Sequence, residues 1–167
     1  MSPSAKNSPL TSLLIASVVI FAVIIFFGYQ GPGWIKDSLC FTYLGCNAGF
    51  FGYDSIMHFS SGIMDVAILL WIFMRFPSFS LLGNSFWKNL VIVLSVVALV
   101  AVCWEILEYS HDFVRMRYFH EDLIGEDRLD QPSNADTMGD ITLSLIGALL
   151  TVTLPRLFKK NIFDLLR

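Results

Sequence analysis

The sequence predicts an all-α membrane protein, a four-transmembrane-helix bundle with both termini in the cytoplasm. Of its 167 residues, 55% are hydrophobic and only 15% are charged, whereas a soluble domain is about 25% charged. The apolar residues also fall into four blocks of roughly the 20 residues that a membrane-spanning helix requires. These blocks lie at about residues 10–27, 56–74, 90–109 and 138–154. Together they predict a single integral-membrane domain over residues 1–167.

The first block also has a feature of a secretory signal, because Lys6 precedes the apolar run LTSLLIASVVIFAVIIFF. This run is longer than the roughly 7–15 apolar residues of a signal peptide, and no clear small-x-small cleavage site follows it. We therefore expect an uncleaved first transmembrane helix.

The basic residues predict the orientation. With four spans, both termini lie on the same side as the loop between spans two and three. That side carries seven Lys and Arg residues and the other carries four, so the positive-inside rule places both termini in the cytoplasm. The predicted location is the bacterial inner membrane, with most acidic residues toward the periplasm or exterior. Cys40 and Cys46 also lie on that outer side, and the sequence leaves open a disulfide bridge or two reduced thiols.

Three pairs of ionisable residues stand near the outer ends of three different spans. The pairs are Asp54 and His58 in span two, Glu105 and Glu108 in span three, and Asp136 and Asp140 in span four. Residues three or four apart share one face of a helix, and each pair lies within about two turns of the outer end of its helix. We therefore expect the three pairs to meet at a similar depth.

This combination of side chains favours a divalent metal ion. Neighbouring carboxylates repel each other, and an acidic side chain inside a bilayer is costly unless it is paired, protonated or facing water. A cation would relieve both penalties, and a set of oxygens with an imidazole suits Mn²⁺, Mg²⁺, Zn²⁺ or iron. The predicted metal ligands are Asp140, Glu105 and His58. The predicted catalytic residues, as a general base or further ligands, are Glu108, Asp54 and Asp136.

The same residues admit structural interpretations. Asp54 and Asp136 have the positions expected of helix N-caps, and His58 could be a buried histidine that is hydrogen-bonded to a neighbour. Glu105 and Asp140 are harder to explain in this way, because apolar residues flank them on the membrane side.

Three further residues carry predictions of their own. Arg115 and Arg117 in the second outer loop are candidates for binding a phosphate, although solvated surface charges are the commoner explanation. Asp65 follows Asp54 by 11 residues and therefore lies about 16 Å deeper along the helix. It is a candidate for a protonated hydrogen-bonding group or for part of a proton path.

Small residues recur in spans two and four. They are Ser60, Ser61 and Gly62 in span two and Gly139, Ser144, Gly147 and Ala148 in span four. Small residues let membrane helices approach closely, so we expect these two spans to pack against each other.

The order of the motifs resembles the bacterial inner-membrane family typified by YjdF. It is more distantly similar to the VanZ-like membrane proteins, which share the Asp-x3-His-Phe opening and an acidic final span. The matching residues are Asp54, His58 and Phe59, then Glu105 and Glu108, then Asp136, Asp140, Gly147 and Ala148. The resemblance implies a multi-pass inner-membrane protein and leaves its chemistry open.

The sequence favours a metal-dependent enzyme that acts on a lipid or a lipid-linked phosphate at the outer leaflet, although no nucleophile motif identifies a reaction. One alternative is a small ion-coupled transporter, in which Asp65 would extend a cation path inward. Another is a non-catalytic module that binds lipid or a partner protein.

The bilayer is the expected partner, and the oligomeric state stays open. Nucleic acid is not expected as a partner, because the net charge is −3 and no basic stripe is present.

Overall fold

The regular structure of the chain is helical. The computed structural model describes residues 9–29, 53–119 and 134–166. Within these ranges the α-helices are α1 (Pro9–Tyr29), α2 (Tyr53–Arg75), α3 (Phe86–Tyr118) and α4 (Asn134–Leu157). Two short 3₁₀ helices, Pro77–Phe79 and Ile162–Leu166, follow α2 and α4. The predicted all-α class with four helices is confirmed, whereas Cys40 and Cys46 lie outside the described residues.

Three of the described helices are long and apolar enough to cross a membrane. These are α2, α3 and α4, judged by length and composition. The described apolar stretch of α1, Thr11–Val23, is shorter. The placement of both termini in the cytoplasm stays a prediction. We therefore refer to the end of the bundle at which α2 and α4 begin as the acidic end.

α3 extends well beyond the predicted span. The side chain of Ser85 caps its start by accepting a hydrogen bond from the backbone N–H of Lys88. The helix then runs for 33 residues, a length of about 50 Å, against a hydrocarbon core of about 30 Å. Residues 110–118, in the region that the sequence analysis assigns to the second outer loop, are the last turns of this helix.

Local sequence explains where α2 and α4 end. Phe76 precedes Pro77, and a proline disfavours helical backbone in the residue before it. After α4, Lys159 adopts a φ of 57°, in the left-handed region that commonly closes helices. The backbone N–H of Lys160 then donates to the carbonyl of Pro155 at 3.0 Å, which satisfies one of the last carbonyls of α4.

The bundle is arranged around a close pairing of α2 with α4. α1 packs on α2, α3 packs on α4, and α2 and α3 touch at fewer positions. A Cβ atom on Gly62 would overlap the backbone carbonyl of Ser144, and one on Gly147 would overlap the carbonyl of Phe59. The small residues therefore act as predicted, except that Gly139 has open space where a Cβ would stand.

Apolar side chains fill the space below this crossing. The buried cluster contains Val66 and Leu70 of α2, Leu90, Val93 and Val97 of α3, Ala148 and Val152 of α4, and Ile162 and Phe163. These residues lie toward the end where α2 and α4 terminate, whereas most of the buried polar side chains that the structure describes lie toward the acidic end.

Asn89 holds the connection between α2 and α3, and sequence reasoning did not single it out. It is 2% exposed, and its side-chain amide makes two hydrogen bonds with the backbone of Gly83, at 2.8 and 2.9 Å.

We expect Asn89→Ala to lower the free energy of unfolding by about 1–3 kcal/mol, because buried backbone groups lose their partners. Reversible unfolding in mixed detergent micelles would measure this. Lys88→Ala, on the exposed neighbouring position, should have no comparable effect, and equal losses would contradict the assignment.

Candidate functional site

Five polar side chains from three helices meet at the acidic end. We call this group the acidic cluster, and its members are Asp54 and His58 of α2, Glu105 and Glu108 of α3, and Asp140 of α4. The members form two sets of three that share His58, and within each set the ligand atoms lie within 4.8 Å of one another. α2 and α4 contribute residues from their first two turns, whereas α3 contributes a segment about two-thirds of the way along its length.

The imidazole of His58 is the centre of the acidic cluster. It is 4% exposed, and its Nε2 atom lies 3.5 Å from Asp54 Oδ1 and 3.9 Å from Asp140 Oδ2. Its Nδ1 atom lies 3.9 Å from Glu105 Oε1. Carboxylates therefore face both nitrogen atoms of the imidazole, and each of the three comes from a different helix.

Two contacts fix side chains around this imidazole. Ser144 of α4 is buried, and its hydroxyl donates to the backbone carbonyl of His58 at 3.1 Å. The indole N–H of Trp104 donates to Glu108 Oε1 at 2.6 Å. Ser144 thus ties the α2 backbone to α4 at the residue that bears the imidazole. The sequence indicated Ser144 only as a small packing residue, because its polar role depends on the α2–α4 crossing.

Asp136 is the one member of the three predicted pairs that belongs to neither set of three among the described side chains. It stands in the first turn of α4, one turn before Asp140. Asp54 likewise lies in the first turn of α2. Asp54 also lies 3.5 Å from His58, a contact that a helix N-cap does not require.

The two predicted phosphate-binding arginines lie away from the acidic cluster. Arg115 and Arg117 are in the last turn of α3, about 15 Å or more along the helix from Glu105. Arg115 Nη1 lies 3.7 Å from Asp112 Oδ1. Their role in binding a phosphate stays a prediction, and the structure does not bring them against His58.

Asp112 is a buried acidic residue that sequence reasoning missed. It is 3% exposed and forms an ion pair with Arg115 one turn later in α3. Its i, i+3 spacing to Arg115 is the signal in the sequence, but charged residues in a polar outer loop are expected to be solvated.

The donor set of the acidic cluster fits a divalent cation. Two ligand atoms on one such ion lie about 3 Å apart, because each is about 2.1 Å from the ion. The 3.5 and 3.9 Å separations around His58 Nε2 are larger by less than about 1 Å, which side-chain rotation can supply. His58 Nε2 and Asp140 Oδ2 are also buried and lack a hydrogen bond to any described residue, and such atoms ordinarily have a partner.

Together these features define an integral membrane protein with a histidine enclosed by carboxylates from three helices. The family model described as predicted membrane protein DUF2238 matches residues 3–161, and the chain belongs to that family. This confirms the resemblance to proteins of the YjdF type. The match lends no support to the more distant VanZ likeness. Comparisons with curated proteins and with solved structures found no match.

Proposed function

We propose that the protein is a metal-dependent membrane enzyme that binds a divalent cation in the acidic cluster and acts on a lipid or lipid-linked phosphate. The observation that carries this proposal is the position of His58 Nε2, buried without a hydrogen bond to a described residue and facing Asp54 and Asp140. Asp54, His58 and Asp140 are the residues that would hold the ion. A bound ion of this kind polarises a phosphoryl oxygen and lowers the pKa of a water molecule.

Glu105 has a separate role in this proposal. It faces the other nitrogen of the imidazole, with Glu105 Oε1 3.9 Å from Nδ1. Histidines that bind a metal almost always donate their second N–H to a carboxylate or another acceptor, which fixes the ring and raises its basicity. Glu105 therefore orients His58, and Glu108, held by Trp104, is the carboxylate available to accept a proton from water.

The surroundings of the acidic cluster favour a lipid substrate. The exposed side chains next to its members on α3 and α4 are large and apolar, among them Ile106, Leu107 and Met138. Exposed apolar surface on a membrane-spanning helix faces hydrocarbon. A substrate that arrives within the bilayer would meet the acidic cluster beside this surface, whereas a fully soluble substrate would have no comparable contact.

Metal content tests the first part of the proposal. We expect about one equivalent of Mn²⁺, Zn²⁺, Mg²⁺ or iron per chain in detergent-purified protein, measured by elemental mass spectrometry after incubation with the metal and desalting. Asp140→Asn keeps the side-chain volume and removes the charge, and it should weaken metal affinity by at least about tenfold. Asp164→Asn, at an exposed site near the C-terminus, is the matched control and should bind like the wild type.

Phosphate release from lipid phosphates in mixed micelles tests the second part. Wild-type protein loaded with metal should release phosphate, and Asp140→Asn and Glu108→Gln should lose activity while remaining folded. Full metal binding without turnover of any lipid phosphate would favour a non-catalytic module. If neither metal nor activity is found after reconstitution with each ion, the proposal is wrong.

A further inference from the structure

A cavity of about 120 Å³ lies between the helices directly below His58. All four helices contribute to its wall. Most of the wall is apolar, and it includes Phe21 of α1, Met57 and Met64 of α2, and Val100, Ala101 and Trp104 of α3. The polar lining consists of His58, Ser61, Asp65 and Ser144. The cavity therefore connects the floor of the acidic cluster with the isolated carboxylate of Asp65.

Asp65 lacks a hydrogen bond or ion pair with the side chains that the structure describes around it. By contrast, Ser61 and Ser144, on the same wall, hydrogen-bond to backbone carbonyls. Asp65 lies about 16 Å along α2 from Asp54, near the middle of a hydrocarbon core that is about 30 Å thick. An acidic side chain at that depth is costly unless something compensates it, and such residues usually mark a binding site or a path for ions.

The chemistry of the wall selects the kind of compensating group. No Lys or Arg is among the described residues that line the cavity, so an anion would find little to bind except His58, which carboxylates surround. Aromatic faces attract cations, most strongly in the case of Trp, and methionine side chains adapt to apolar groups of irregular shape. A cation that carries apolar substituents satisfies both the carboxylate and the wall.

We propose that this cavity binds a small organic cation with apolar substituents, such as a tertiary or quaternary ammonium ion, with Asp65 as its counter-charge and Trp104 as its aromatic contact. The depth of Asp65 favours a free cation over a lipid headgroup, because headgroups lie at the membrane surface. The volume suits the trimethylammonium group of such an ion, since a cavity of about 150 Å³ holds one benzene molecule and this group has fewer heavy atoms than benzene. His58 and Trp104 belong to both this site and the surroundings of the acidic cluster, but binding of the organic cation does not require a bound metal ion.

Binding of choline and of its uncharged carbon isostere dimethylbutanol to the full chain in detergent tests this proposal. Isothermal titration should show saturable binding of choline and at least about tenfold weaker binding of the isostere, because only the cation gains the charge interaction with Asp65. Asp65→Asn should weaken choline binding to a similar extent. Trp104→Leu should weaken it about threefold, whereas Trp104→Phe, which keeps an aromatic face, should bind nearly as the wild type does.

The metal assay on the same variants separates the two proposals. Asp65→Asn should retain the metal stoichiometry of the wild type, and an unchanged thermal unfolding temperature in detergent shows, without reference to metal, that the variant is folded. Equal affinity for choline and its isostere, or unchanged choline affinity in Asp65→Asn, would overturn the cation site without affecting the metal proposal. Loss of metal in Asp140→Asn with intact choline binding would show that the cation site does not require the metal ion.

Discussion

Gly62→Ala and Gly147→Ala are each expected to lower the free energy of unfolding by about 3 kcal/mol, the upper range for overpacking a well-packed interface. In each case the added methyl group meets backbone, the carbonyl of Ser144 or that of Phe59, and backbone cannot rotate away as a side chain can. The two helices must therefore move apart. This separation would also break the hydrogen bond from Ser144 to His58 and should weaken metal binding.

Gly139→Ala is the matched control, since its added methyl group would meet nothing within 4 Å. Replacing a helical glycine with alanine without a clash stabilises a helix by roughly 0.5–1 kcal/mol, so this variant should be as stable as the wild type or slightly more so. Reversible unfolding in mixed detergent micelles would compare the three variants. If all three substitutions have the same effect, the close α2–α4 contact does not determine stability. The double variant of Gly62 and Gly147 should lose less than the sum of its parts, because both residues keep the same two helices together.

His58→Leu should produce the second large effect, a loss of about 3–5 kcal/mol in the metal-free protein, as is typical when one partner of a buried ion pair is removed. The imidazole separates Asp54, Glu105 and Asp140 and contacts each of them. Without it, carboxylates face one another around an apolar side chain. Thermal unfolding in the presence of a chelator would measure the loss. The same variant should also fail to bind metal under the conditions of the elemental analysis.

Two comparisons make this prediction specific to the acidic cluster. His111→Leu removes the exposed histidine near the end of α3 and should have little effect on stability. Adding Asp140→Asn to His58→Leu should restore part of the lost stability, because it removes one of the carboxylates that repel each other. The opposite result is a double variant that is less stable than His58→Leu by the full amount that Asp140→Asn costs the wild type. That result would show that repulsion between the carboxylates does not contribute to the loss.

The helices and the spacing of the polar pairs could be predicted because both are local properties of the chain. Backbone groups inside a bilayer must be hydrogen-bonded within the chain, so apolar blocks of the right length form helices wherever they occur. The i, i+4 spacing of Asp54 and His58 similarly places them on one face without reference to any other helix. The end of α3 was less predictable, since charged residues such as Arg115 are found in both loops and extended helices.

The convergence of the three pairs depended on the tertiary structure, because it is decided by how closely the helices approach. Gly62 and Gly147 bring the backbones of α2 and α4 together, at the level where Ser144 of α4 donates to the backbone carbonyl of His58. The same geometry leaves Asp136 outside the two sets of ligand atoms, although its spacing matches that of the other pairs. The sequence by itself determined which residues share a helix face and the positions of the apolar spans. Only the packing of the helices decided which of those faces meet, because side-chain contacts between helices depend on their separation and rotation, and short sequence motifs contain neither.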